Sequence, residues 1–418
     1  MSSNSESTNN NFLDKLETAK KRATVFQEFL KQEISLGANS EKLAVLDAGI
    51  QNSPYQQYIP SYSQFLSSKP DGVKIFSSVN NDKFKPYPQI GQIPEIDGEA
   101  LKFIYDDIKE ACVCIGGFAN GDFKSYWMGK NALRKNQFWS STKIIAILNL
   151  ISRINTNYPN IDIDRCVIRG EKDGKIIECP FYNFAEDVVS YAKNIASSNS
   201  IAAMFKRFET RAGLELWVKQ ITGNNDLEFQ GDYGEAPFLE LPELVNINTQ
   251  EVLLKAPENT PKRQNLITAY DLTRLLSMAG WHHYINSSCQ LPGVQSHSLE
   301  SVIKAMGVDT ARYADVAIAN LGLENAIASP VIISKLGFGP SETRNTVELV
   351  YLALVQFIDN RYKMENKPGQ LRSVCMTLRG EKPVRDLNSY DYEAITLDAS
   401  MAAEVTELLR RIVTDEIL

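Results

Sequence analysis

The chain of 418 residues has only three histidines, no C-x-x-C pair among its six cysteines, no cluster of basic residues and no long apolar run. None of the histidines lies near a G-x-S-x-G elbow, which the sequence lacks, so the pattern argues against a Ser-His-Asp hydrolase. The cysteine spacing argues against metal ligation and favours small core residues in a reducing compartment. We therefore expect neither a metal nor a cofactor.

Charge and hydropathy argue against two further classes of protein. A net charge of −7 without a basic cluster argues against nucleic acid as a partner. The longest mostly apolar run, 349–358, is too short to span a bilayer and predicts a buried strand. Residues 1–11 have neither the basic nor the apolar region of an export signal, so we expect a cytoplasmic chain, or one from which a signal has been removed.

The most informative segment is 138–152, in which Ser140 precedes Lys143 by three residues at the start of a run of Ile and Leu. Three residues are nearly one helical turn, so the two side chains share a face. Apolar surroundings lower the pKa of a lysine, and a partly neutral lysine can take the proton of a neighbouring serine. The simpler interpretation is a buried helix with a capping serine, since the same spacing recurs at 190–193 and 301–304.

Two later segments favour the catalytic interpretation. Ser197-Ser198-Asn199 lies in a polar break between helical patterns, and Lys335-Leu336-Gly337 ends a β-rich run. Together with Ser140 and Lys143 they give the order S-x-x-K, S-x-N and K-x-G. In this order the chain resembles serine β-lactamases and penicillin-binding proteins (DD-peptidases), and class A β-lactamases in particular.

The resemblance implies a catalytic role for each matching residue. Ser140 would attack a carbonyl carbon, and Lys143 would accept its proton, alone or through water. Ser197 would pass a proton to the leaving group. Asn199 would bind the substrate amide or hold the first lysine. Lys335 would supply positive charge near Ser197 and the substrate carboxylate.

The K-x-G segment also implies a substrate-binding strand. Gly337 and Phe338 would line it, and the backbone N–H groups of Ser140 and Phe338 would form an oxyanion hole. Arg344, nine residues after the lysine, matches the arginine that helps class A enzymes hold the substrate carboxylate. Leu336 departs from the pattern, because it removes the hydroxyl that normally touches this carboxylate.

A deacylating glutamate is matched only loosely. Class A enzymes carry it in an E-P-E-L-N loop, and the nearest text here is Glu240-Leu241-Pro242-Glu243-Leu244-Val245-Asn246. We take Glu240 as the candidate and Glu243 as the second choice, while a plain acidic loop explains the text equally well. Acylation is therefore expected to be faster than deacylation, and hydrolysis of common β-lactams to be poor.

The resemblance implies an α+β fold, with a five-stranded antiparallel sheet flanked by helices and a mainly helical subdomain. The residue pattern predicts elements in the same order: a helix at 98–110, strands at 111–118 and 123–128 joined through Asn120-Gly121, strands at 345–358 and 371–379, and a final helix at 400–415 capped by Asp398 or Ser400.

The catalytic domain is expected over 96–418, with a helical half at about 140–325 and a sheet half formed by 96–139 and 326–418. Residues 1–95 are expected to be an extension with a disordered start, a helix at 12–35 and an irregular wrap.

We interpret the chain as a serine hydrolase that forms an acyl-enzyme with an amide, ester or β-lactam, the substrate being a small molecule or a peptide. The alternative is a catalytically degraded relative that uses the cleft to bind a peptide or partner, which Leu336 and the loosely matched glutamate favour. A structural protein whose first 95 residues carry the function has less support.

Overall fold

A computed structural model describes residue 15 and residues 19–68, 81–119, 121–257, 263–361 and 369–417. Its strands are, in chain order, Lys85–Pro86 (β1), Ile108–Ala119 (β2), Asp122–Lys130 (β3), Cys166–Lys172 (β4), Lys175–Pro180 (β5), Glu228–Phe229 (β6), Glu243–Asn246 (β7), Val252–Lys255 (β8), Asn265–Leu266 (β9), Ile327–Ser341 (β10), Thr346–Asp359 (β11) and Gln370–Pro383 (β12).

The α-helices of the described residues are Arg22–Ser35 (α1), Tyr62–Ser67 (α2), Ile144–Asn157 (α3), Phe181–Ser190 (α4), Ser198–Phe205 (α5), Arg211–Thr222 (α6), Ala269–Gly280 (α7), Ser296–Gly307 (α8), Tyr313–Asn320 (α9) and Asp391–Val413 (α10). None of them is long and apolar enough to cross a membrane.

The main sheet has the strand order β1-β3-β2-β12-β11-β10, and every neighbouring pair is antiparallel. The α+β class predicted from the sequence is confirmed. The strand count is six rather than five, because the two residues of β1 pair with the outer edge of β3. At the other end β10 is an edge strand, which leaves one side of its backbone free for another chain or ligand.

Both faces of the sheet are buried, and alternation along β2 shows this. Cys112 and Cys114 point into the core shared with the helical half, while Ala111, Val113 and Ile115 point into a second core on the opposite face. Helix α7 covers the first face, and α10 covers the second. The two cores therefore lie on opposite faces of the central strands β2, β12 and β11.

Helix α3 is the centre of the helical half. It is buried at eleven of its fourteen positions, as a helix without a polar face should be. A tight 3₁₀ turn, Trp139–Lys143, leads into it from the sheet. This turn carries the predicted nucleophile to the boundary between the two halves.

Two predicted elements differ in the structure. Residues 98–107 form successive turns rather than a helix, with three-residue hydrogen bonds such as Ile104 N–H to Leu101 O at 3.1 Å. These turns bury Leu101, Ile104 and Ile108, whose spacing mimics an amphipathic helix. The final helix begins at Asp391 after Tyr390, so Asp398 and Ser400 are buried within it rather than capping it.

The predicted β2–β3 hairpin is present, but Asn120 of its turn lies outside the described residues, as does the predicted disordered start at 2–11. Helix α1 packs against α10, and Arg22 contacts Glu404 there. The six cysteines are all free thiols, five of them buried.

A stability prediction follows from a buried ion network in the sheet. The side chain of Arg379 on β12 is fully buried and contacts Glu110 at 2.6 Å, Glu348 at 2.8 Å and Glu381 at 2.9 Å. Arg379→Met should lower the free energy of unfolding by about 3–5 kcal/mol, because it leaves buried carboxylates without their cation. Urea unfolding measures the loss. The exposed Arg385→Met is the control, and equal losses in both variants would contradict the prediction.

Candidate active site

Ser140 lies in the 3₁₀ turn directly after a strained residue. Trp139 has a φ of +47°, which a bulky side chain rarely adopts and which costs about 1–3 kcal/mol. Its indole N–H donates to the buried Glu348 carboxylate at 2.8 Å, and this bond holds the conformation. The turn presents Ser140 to a cleft of about 620 Å³, a volume typical of a small-molecule site.

Lys143 lies one 3₁₀ turn after Ser140, so the two side chains are stacked on the same face. Its ammonium nitrogen is buried and donates to Asn199 Oδ1 at 2.7 Å and to Ser198 Oγ at 2.8 Å. Burial, together with the like charge of the nearby Lys335, lowers the pKa of Lys143 to about 6, while Glu235 acts in the opposite direction. At neutral pH this lysine is therefore mainly an uncharged amine.

A second buried lysine lies on the other side of the nucleophile. Lys335 on β10 donates to the phenol oxygen of Tyr191 at 2.6 Å, and its nitrogen lies 4.0 Å from the buried Asp309. Burial lowers its pKa to about 7, while Asp309 acts in the opposite direction. This lysine is therefore partly protonated at neutral pH and can return a proton to the phenol.

Tyr191 joins the two lysine environments, and the sequence patterns did not single it out. It follows the last residue of α4 with a φ of +56°, which turns its ring into the cleft. Its phenol interacts with the Ser140 side chain as well as with Lys335. Burial raises the pKa of Tyr191, with Asp309 adding to the rise, so the phenol keeps its proton.

The S-x-N segment is arranged differently from the expectation. Ser197 caps α5 by accepting the Ser200 N–H at 3.1 Å, and its hydroxyl donates to Glu235. It is therefore turned toward the rim and does not line the cleft. Ser198 supplies the hydroxyl on Lys143 instead. The proton-relay role of Ser197 stays a prediction, and a second hydroxyl, that of Tyr191, interacts with both Ser140 and Lys335.

The glutamate near the nucleophile is Glu235 rather than Glu240. Glu235 accepts from Asn199 Nδ2 at 3.0 Å and from Ser197, which places it beside the partners of Lys143. Glu240 pairs with Arg207 at 3.4 Å, and Glu243 pairs with Arg169 at 3.0 Å. The deacylating role of Glu240 therefore stays a prediction, with Arg207 as the partner that the structure shows for its carboxylate. The sequence signal that could have found Glu235 is weak, an acid two residues before Pro237.

The K-x-G segment packs closely against the nucleophile turn. A Cβ on Gly337 would lie 2.9 Å from Phe138 O and 3.2 Å from Ser140 N, so only glycine allows this approach. Leu336 and Phe338 line the cleft on the edge strand β10. The backbone of Phe338 thus lies on the same wall of the cleft as the nucleophile.

The Arg344 guanidinium is engaged by side chains beside the cleft. Its guanidinium binds Glu348 with two hydrogen bonds of 2.5 and 3.0 Å, and it also donates to Gln137 at 3.1 Å. It is absent from the residues that line the cleft in the described structure. The carboxylate-binding role of Arg344 stays a prediction, and the contacts that the structure shows for it support the Glu348 carboxylate beneath Trp139.

The remaining walls of the cleft come from three parts of the chain: the early segment with Ser40, Glu41, Leu46 and Asp47, the loop with Asp232, Tyr233 and Gly234, and the strand residues Gly339 and Pro340. Within the described residues no group of three or more His, Cys, Asp or Glu side chains could hold a metal ion.

No protein-family model and no curated protein matches the chain. It is similar to the solved structure of a β-lactamase from Desulfarculus baarsii, at 12% identity and a TM-score of 0.39, over 72% of this chain and 92% of that one. A β-lactamase from Streptosporangium roseum is similar at 13% identity and a TM-score of 0.38, over 74% and 96% of the two chains.

A D,D-transpeptidase domain from Eggerthella lenta is similar at 10% identity and a TM-score of 0.33, over 77% of this chain and 81% of that one. The solved structures to which the chain is similar are thus β-lactamases and a D,D-transpeptidase domain.

The lysine environment can be measured directly. In protein labelled with ¹³C at the lysine ε carbon, the Lys143 resonance should titrate near pH 6, protonated below and neutral above. Lys335→Met should raise this pKa because it removes a like charge, and Glu235→Gln should lower it because it removes an opposite one. Lys143→Arg assigns the resonance. A titration near the ordinary value for lysine, about 10.4, would contradict the burial argument.

Proposed function

We propose that the chain is a serine hydrolase of the β-lactamase/DD-peptidase type, acting on an amide, ester or β-lactam through an acyl-enzyme on Ser140. The observation that carries the proposal is the pair of buried lysines around one cleft serine. Lys143 lies one turn after it, and Lys335 reaches it through the Tyr191 phenol. A purely structural serine has no need of this arrangement.

In the acylation step, the Ser140 oxygen attacks the substrate carbonyl carbon while its proton passes to the neutral amine of Lys143. The backbone N–H groups of Ser140 and Phe338 are our proposed donors to the carbonyl oxygen, which gains negative charge in the tetrahedral intermediate. Loss of one such donor typically lowers the rate by about 10²–10³.

The leaving group then departs with a proton from Tyr191. A phenol whose pKa is raised by burial holds its proton until an atom of comparable basicity appears beside it, as the leaving nitrogen or oxygen does. The ammonium form of Lys335 returns a proton to the phenol oxygen at 2.6 Å. Asn199 holds Lys143 in place through its side-chain oxygen.

Deacylation requires a base for the attacking water, and we assign this role to Glu235. It shares Asn199 with Lys143, accepting from the amide nitrogen while the lysine donates to the amide oxygen. A water bound between Glu235 and the acylated Ser140 would give its proton to the carboxylate and its oxygen to the acyl carbon. The bond between the acyl carbon and the Ser140 oxygen then breaks, and the proton held by Lys143 returns to that oxygen. The carboxylate is exposed at the cleft rim, so water has free access to it.

The first test is covalent labelling. A fluorophosphonate should add to Ser140, as seen by intact-mass spectrometry and peptide mapping, and Ser140→Ala should abolish the adduct. The labelling rate should rise with pH through about 6, because Lys143 accepts a proton only in its neutral form. Lys143→Met should lower the rate by about 10²–10⁴, the usual contribution of a general base.

Ser141→Ala is the matched control, since this hydroxyl is buried and donates to Phe138 O. An adduct that survives Ser140→Ala would overturn the assignment of the nucleophile. Absence of any adduct on the folded protein would favour the alternative of a binding module.

The second test separates the two glutamates. With an activated ester, Glu235→Gln should retain the burst of acylation but slow the steady state by about 10²–10⁴, so that the acyl-enzyme accumulates. Glu240→Gln should behave like the unchanged protein, because its carboxylate is engaged by Arg207. Stopped-flow kinetics and the mass of the trapped ester distinguish them, and the opposite result would restore the Glu240 assignment.

A further inference from the structure

The charge of the cleft wall is unusual for a site that would bind an anionic substrate. Among the side chains that line it in the described residues, none is lysine or arginine, whereas three are acidic: Glu41, Asp47 and Asp232. Asp232 is balanced by Arg211 at 2.5 Å. Glu41 and Asp47 remain as the negative charges at the wall.

Three positions that the resemblance implies for binding a substrate carboxylate, 335, 336 and 344, offer it no free charged or hydroxyl group in the cleft. Leu336 offers a methyl group where a hydroxyl would be needed, and the Arg344 guanidinium is held by Glu348 through two hydrogen bonds. The Lys335 nitrogen is fully buried behind Tyr191. A carboxylate in the cleft would therefore lose water without gaining a charged hydrogen-bond partner.

Tyr191 lies near Leu336 and Asp47, and it packs against the apolar cluster that contains Leu46. Tyr191, the proposed donor to the leaving group, has its phenol 3.4 Å from the Leu336 carbonyl. The charge of Asp47 acts on that phenol, and Leu46 packs in the same apolar cluster as Leu336. In the proposed mechanism, the leaving group of a substrate beside Tyr191 would therefore lie against an apolar wall with Asp47 at its edge.

The wall is fixed rather than adaptable. Val45 and Leu46 donate their backbone N–H groups to the buried Asp398 at 2.9 and 3.3 Å, and Asp47 accepts from Leu43 N at 2.9 Å. Ser40 donates to Asp391 through its backbone N–H at 2.9 Å. The early segment is therefore anchored to α10 and shapes the leaving-group side of the cleft.

We infer that this cleft accepts substrates whose leaving group is uncharged or cationic and discriminates against leaving groups that carry a carboxylate. The inference rests on the proposed acyl-enzyme function and names its substrate class. Esters and amides of aliphatic or cationic alcohols and amines fit the wall, whereas penicillins and acyl-D-alanyl peptides present a carboxylate to it.

Three thioesters of similar size test the inference: acetylthiocholine with a cationic leaving group, S-(3,3-dimethylbutyl) thioacetate as its neutral isostere, and S-acetyl-3-mercaptopropionate with an anionic one. Thiol release, followed with a chromogenic disulfide, should give kcat/KM in the order cationic, neutral, anionic. The cationic substrate should exceed the anionic one at least about tenfold, the ratio that about 1.4 kcal/mol produces.

Asp47→Asn and Glu41→Gln should each narrow this ratio, by lowering kcat/KM for the cationic substrate and raising it for the anionic one. The asparagine keeps the oxygen that accepts from Leu43 N, so the segment retains its anchor. The measurement belongs above pH 6, because burial raises the pKa of Asp47 to about 6. Glu171→Gln, an exposed carboxylate on β4 outside the cleft, is the control.

The leaving-group preference and the proposed acyl-enzyme function can be overturned by different results. If a fluorophosphonate labels Ser140 but the anionic thioester reacts as fast as the cationic one, the inference is overturned and the proposed function stands. If no thioester releases thiol and no label reaches Ser140, the proposed function is overturned together with it.

Discussion

The burial of two lysines behind one serine is the constraint on which the rest of the site depends. At neutral pH an unfolded chain holds the Lys143 proton, whereas the folded chain must release it, because the folded pKa is about 6. At pH 7 this costs roughly 5 kcal/mol of folding stability, at about 1.4 kcal/mol for each unit between that pH and the unfolded pKa. The penalty is largest below pH 6 and disappears as pH rises past the unfolded value of 10.5. The apolar burial of α3 must offset it, so the packed helix and the neutral base are two aspects of one feature.

The second lysine meets a different electrostatic environment, and this difference assigns the two roles. Lys335 lies near Asp309, which favours its charged form, while Lys143 donates to the neutral oxygens of Ser198 and Asn199. The two amines therefore differ in their readiness to hold a proton although both are buried. Tyr191 lies between the serine and the lysine that is more readily protonated. In the proposed mechanism, a proton that leaves Ser140 toward Lys143 and one that reaches the leaving group from Tyr191 follow separate routes, so the proposed cycle needs no histidine.

The part of this site that sequence could predict is the part held by local structure. Ser140 and Lys143 share a face because three residues make a turn, and Gly337 follows Lys335 because a strand must approach that turn closely. Tyr191 and Glu235 were missed because their positions depend on how a helix end and a long loop fold back over α3. Neither the φ of +56° at Tyr191 nor the contact of Glu235 with Asn199 has a spacing that a sequence pattern could reveal. The helix predicted at 98–110 was wrong for a related reason. Burial at spacings of three and four residues fits a helix and a series of turns equally well.

The contacts of Arg344 with Glu348 explain why we infer that the cleft does not favour a substrate carboxylate. The conformation of Trp139 before the nucleophile is strained, and the indole bond to Glu348 holds it. Glu348 is fully buried, so its charge needs cations, and Arg379 and Arg344 supply them at 2.8 and 2.5 Å. An arginine committed to this network cannot also turn into the cleft without leaving a buried charge undercompensated. Once it is committed, a hydroxyl at position 336 alone would be a poor anchor for a carboxylate. Leucine there instead extends the apolar wall that Leu46 begins, so the strain that presents the nucleophile and the character of the leaving-group wall arise from the same ion network.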